Sequence, residues 1–105
     1  MNYYKIIELN VKEMYVIADS IEDQDSESVE FDKVFIIMNK LASGSYIITG
    51  SESFFVYNSD NPDKFDVQEI SFNLFLKTLR KNSAKIKNKH DAIKAFFEPN
   101  KDGNN

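Results

Sequence analysis

Short runs of aromatic and β-branched residues fill the first two thirds of the chain, and helically spaced apolar residues fill the last third. Tyr3 to Leu9 reads as a strand. Over residues 11–21 two periods compete. Val11, Met14, Tyr15, Ala18 and Ile21 recur at i, i+3, i+4 and i+7, and Asn10 and Glu13 stand at the N-cap and N3 positions of a near capping box. Tyr15-Val16-Ile17 prefers a strand, but the spacing favours a helix. The same conflict at residues 31–42 resolves the other way, because Val34-Phe35-Ile36-Ile37 suits a buried strand.

Tyr46 to Thr49 and Phe54 to Tyr57 are β-type runs separated by Gly50-Ser51-Glu52-Ser53, which predicts a hairpin over residues 46–57. Asn58 to Lys64 is turn chemistry, with Pro62 closing any ladder there. Ser71 is a suitable N-cap, Ile70 can staple to Phe75, and Phe72, Phe75, Leu76 and Leu79 form one stripe, so a helix is predicted over about 71–82, ending at Asn82 in a left-handed cap. A second helix is predicted over about 84–98, on the stripe Ile86, Ile93, Phe96 and Phe97, stopped by Pro99. Strands first and helices last is an α+β order: an antiparallel sheet packed by two C-terminal helices.

With 105 residues, the chain has room for one core, so residues 1–99 form one domain and the polar residues 100–105 a disordered tail. The absence of Cys excludes a disulfide scaffold and a thiolate metal site. Lys5 and Glu8 interrupt the apolar N-terminus, and no window is long and apolar enough to span a bilayer. The expected location is therefore the cytoplasm.

The net charge of −4 conceals a segregation. Residues 1–30 carry two Lys against eight acids (2 − 8 = −6), residues 31–76 three against six (3 − 6 = −3), and residues 77–105 eight bases against three acids (8 − 3 = +5). Asp19, Glu22, Asp23, Asp25, Glu27 and Glu30 follow one another with no cation between them, and read as a solvated acidic loop over residues 19–30.

Catalytic chemistry finds little to use. His90 is the sole imidazole, stands among lysines, and reads as an exposed residue of a helical first turn. Asp23-Gln24-Asp25-Ser26-Glu27 alternates somewhat like a calcium loop but lacks its Gly and its twelfth-position Glu, so no metal site is assigned. Only Gly44, Gly50 and Gly103 are present, too few for a phosphate cradle, and no cofactor is expected.

Two surface readings remain. In the first, the acidic segment Asp19, Glu22, Asp23, Asp25, Glu27 and Glu30, anchored by Tyr15 and Phe31, docks into the groove of a basic protein. The protein is then no enzyme but an inhibitor or immunity-type partner of a basic enzyme such as a nuclease toxin. In the second, Lys77, Arg80, Lys81, Lys85, Lys87 and Lys89 track a phosphate backbone. The acidic total, with a pI near 4.9, argues against nucleic acid. A homodimer pairing the acidic half of one copy with the basic half of another is also open.

Overall fold

The computed structural model describes residues 1–9, 12–50 and 52–87, excluding the side chains of Glu52 and Ser53. Eight strands run in the order β1 (Asn2–Glu8), β2 (Lys12–Ala18), β3 (Ser20–Gln24), β4 (Ser28–Val34), β5 (Ile36–Lys40), β6 (Tyr46–Thr49), β7 (Glu52–Asn58) and β8 (Phe65–Ile70), followed by helix α1 (Phe72–Lys81). They form a five-stranded sheet in the order β6-β5-β2-β1-β8 and a three-stranded sheet in the order β3-β4-β7. All of these pairings are antiparallel.

The larger sheet is the middle layer. On one face Tyr15, Ile17, Met38, Tyr46 and Ile48 pack against Phe75 and Leu79 of α1. On the other, Tyr4, Ile6, Met14, Val16 and Ile37 meet Val29 and Phe31 of the smaller sheet. Fully burying a side chain of this kind contributes about 1.5–3 kcal/mol, so both interfaces are substantial.

This layering explains why the apolar pattern misled over residues 11–21, which are not a helix but β2 and β3. Met14 to Ala18 are buried at every position because β2 has a core on each side, so the alternation that marks a half-exposed strand is missing. The strand reading of residues 31–42 stands, divided between β4 in one sheet and β5 in the other.

The division creates one long bent hairpin. β3 pairs with β4 in the small sheet and β2 with β5 in the large one. Between them, the Asp19 amide donates to the Asp32 carbonyl at 3.1 Å and the Phe35 amide to the Ile17 carbonyl at 2.7 Å, carrying the ladder around the corner. Lys33 adopts a left-handed φ of 53° there, and Ala18 is fully buried at the inside of the bend. The segment read as an acidic loop over residues 19–30 is thus mostly strand, with its turn at Asp25–Glu27.

The predicted 46–57 hairpin does not form: β6 pairs with β5 and β7 with β4, so the two strands belong to different sheets. The hairpin connection lies earlier. Gly44, at φ 89°, closes the 41–45 turn, with the Leu41 amide donating to the Ser45 carbonyl at 2.7 Å.

Helix α1 begins as predicted, the Ser71 hydroxyl accepting from the Leu74 amide at 3.1 Å. Asn82 is not a left-handed cap, with φ −104° and ψ 12°. Nor does the described part of the second predicted helix form one: Ser83–Lys85 is a single 3-10 turn, and Ile86 bridges to Tyr46 in parallel. The apolar side chain of Ile86 fills the α1-side core instead. The remainder of that prediction, residues 88–98, lies outside the described residues, as does the tail.

Candidate functional site

The acidic segment is an arm of the bent hairpin, and β3 is an edge of the smaller sheet. Its turn is held by Asp25, whose carboxylate accepts from the amides of Glu27 at 2.7 Å and Ser28 at 2.8 Å. These backbone bonds hold the Asp25 carboxyl below the ordinary aspartate range, because they favour the charged form. Glu22, Asp23, Asp25 and Glu27 are exposed and Glu30 is half-buried. Among the described residues, only Asp19 of the segment's acids has an ion partner, Lys33 at 4.0 Å. The arm is therefore an ordered, electronegative projection, and apart from Asp19 its carboxylates have no cation at contact distance among the described residues. Acids on an edge strand also discourage pairing with another sheet edge.

The two aromatic anchors read from the sequence are not on this surface. Tyr15 is 3% exposed and belongs to the core under α1, while Phe31 is fully buried between the sheets. They lie on opposite sides of the large sheet and contact no partner while the fold is intact. On the smaller sheet the aromatic that does face outward is Phe54, 50% exposed, while Phe72, about as exposed, lies on α1. The sequence signal of Phe54 is the pair Phe54-Phe55, since adjacent strand residues point to opposite faces and only one can enter a one-sided core.

Of the basic residues, Lys77, Arg80 and Lys81 are exposed on α1, and Lys85 and Lys87 follow it, also exposed. Lys89 and His90 lie outside the described residues. Because α1 and the smaller sheet pack on opposite faces of the larger one, the segregation of charge along the chain becomes a segregation between outer layers.

A second polar cluster had no counterpart in the sequence reading. Glu8 occupies an inward position of β1 and is 1% exposed. It accepts from the Tyr57 hydroxyl at 2.6 Å, the Asn61 side-chain amide at 2.9 Å and the Asp60 backbone amide at 3.2 Å, with Lys12 4.0 Å away. Burial pushes the Glu8 carboxyl up, but bonds from Tyr57, Asn61 and Ser59 and the Lys12 charge outweigh it and leave it below the ordinary glutamate range. Glu13, likewise raised by burial, is held low by the Tyr15 hydroxyl, Lys5 and Lys40. Burial first, and then these carboxylates, push Tyr57 and Tyr15 well above the ordinary tyrosine value.

Lys12, Glu13, Lys40, Tyr57 and the Gly44 turn border a cleft of about 780 Å³. Near neutral pH the Glu8 and Glu13 carboxylates are ionised and the Tyr15 and Tyr57 hydroxyls protonated, with both carboxylates already bonded. That is the state of a bracing network rather than of a poised acid and base.

Among the described residues no three His, Cys, Asp or Glu side chains gather as a metal site, and no helix is long and apolar enough to cross a membrane. No protein-family model matches the chain, and no curated protein or solved structure matches it either.

Proposed function

We propose that this protein works by binding another protein, as an inhibitor or immunity-type partner that presents its acidic hairpin to the groove of a basic enzyme such as a nuclease toxin. The observation that supports this most is the order of the arm: Glu22, Asp23, Asp25 and Glu27 are exposed on or beside a turn fixed by Asp25, without cations in contact among the described residues. A fixed cluster of carboxylates attracts a cationic surface over about a Debye length and loses less entropy on docking than a mobile loop. The protein is proposed to be non-enzymatic and to act in the cytoplasm.

The test is association kinetics with the protein captured from the native host. Raising ionic strength from low to physiological should slow association by about tenfold or more while dissociation changes little. Neutralising Glu22, Asp23 and Asp25 together should reproduce that loss at low salt. An association rate indifferent to both changes would reject the reading. Salt-sensitive binding to single or double strands, lost on removing Lys77 and Lys81 instead, would establish the phosphate-tracking alternative.

A further inference from the structure

We infer that the outward face of the smaller sheet, centred on Phe54, is a recognition surface for arginine side chains of a protein partner. The inference rests on the protein-binding reading above and adds where the contact lies and what it selects.

The register assembles the surface. Ser20 pairs with Asp32 and Asp32 with Phe54; in the adjacent row Asp23 pairs with Glu30 and Glu30 with Val56. Directly opposed residues of antiparallel strands share a face, with Cβ atoms about 4.5–5.5 Å apart. The alternate positions Val29, Phe31 and Phe55 fill the core, with the Phe31 and Phe55 rings stacked at 6.2 Å, so the Phe54 row points away from it. A half-exposed ring thus stands beside the Asp32 carboxylate, with Glu30 diagonal to it and Asp23 one strand further on. None of the three carboxylates has an ion partner among the described residues, since the nearby Lys33 pairs with Asp19.

Charge decides the occupant. Three carboxylates repel a phosphate backbone, an anionic membrane surface and the same face of a second copy. They attract cations, and the exposed ring chooses between them. A guanidinium is planar and weakly hydrated, so it can lie on the Phe54 face while its edge donates to Asp32 or Glu30. A lysine ammonium can meet the carboxylates but is too strongly hydrated to use the ring as well. Phe54 on this face takes the anchoring role that buried Tyr15 and Phe31 cannot.

The experiment is an NMR titration of the isotopically labelled full chain with two blocked pentapeptides, identical except that one carries two arginines and the other two lysines. At low ionic strength the arginine peptide should shift the amides of Glu30, Asp32, Phe54 and Val56 and bind about two- to fivefold more tightly. Phe54→Ala should erase that preference; Phe54→Leu, which keeps most of the apolar volume, serves as the check that a folded chain without the ring also loses it. If neutralising Glu22, Asp23 and Asp25 weakens both peptides but Phe54→Ala leaves the preference intact, this inference fails and the protein-binding reading survives. If neither peptide binds at low ionic strength, both fail. Self-association of the chain abolished by Phe54→Ala would make a second copy the occupant and overturn the assignment to a separate partner.

Discussion

Replacing Tyr57 with Phe deletes one oxygen and isolates the contribution of the Glu8 cluster. The ring stays, stacked on Phe65 at 5.7 Å and 8° between planes, so packing in the core between the sheets is preserved. What is lost is a 2.6 Å hydrogen bond to a buried carboxylate. Bonds to charged groups contribute about 1.5–3 kcal/mol, and Asn61 and Asp60 continue to serve Glu8, which places the expected cost near the lower end, about 1.5–2 kcal/mol. For a domain of this size that lowers Tm by roughly 6–16 °C.

The loss must also depend on pH. The folded-state pKa of Glu8 lies below the ordinary 4.5, so its contribution is present above that value and disappears as pH falls through the folded value. Deleting the Tyr57 donor weakens the depression, so the difference between variant and wild type should be largest near neutral pH and smaller at pH 3. Urea unfolding followed by circular dichroism at both pH values measures this, with an unchanged m-value confirming that the folded state keeps its extent. A destabilisation below about 0.5 kcal/mol at neutral pH, or one equal at both pH values, would refute the assignment of Glu8 as an ionised brace between the sheets.

Other substitutions probe other layers. Phe75→Ala should cost about 3–5 kcal/mol in the same unfolding assay, because Phe75 is fully buried in the core with Tyr15, Ile17 and Leu79 and its removal leaves a cavity. Ser71→Ala removes the N-cap of α1 and should cost about 1 kcal/mol, with Ser71→Gly costing only a few tenths. Asp25→Ala should leave global stability nearly intact while accelerating hydrogen exchange at the Glu27 and Ser28 amides, which lose their acceptor. In the wild type those two amide resonances should titrate with a midpoint below the ordinary aspartate value of 3.8, and a midpoint at or above it would contradict the turn geometry.

What could be read in advance follows from how many faces of each element are buried. Strand β1 and helix α1 each declared themselves, α1 because Ser71 and a stripe ending at Leu79 coincide on one amphipathic helix. Strand β8 carries a short alternating signal, Phe65-Asp66-Val67-Gln68, that turns in and out. Strand β3 carried almost none, because Ile21 is its only inward apolar residue. The outward acids of the candidate site were legible from composition, while its aromatic was not: Tyr15, Phe31 and Phe54 are equivalent in a sequence until the register assigns each a face.

Local chemistry by itself determined the turn at Gly44, the cap at Ser71, the segregation of acids from bases and the want of thiol or phosphate-cradle chemistry, because these depend on residue type and neighbours a few positions away. Tertiary structure alone decided that β6 and β7 part company into different sheets, that Glu8 is buried and bonded, and that Phe54 stands among carboxylates. Each of these depends on partners far apart in sequence, with Glu8 and Tyr57 separated by 49 positions. Strand pairing is chosen by the total burial it achieves across both layers, and no local window contains that sum.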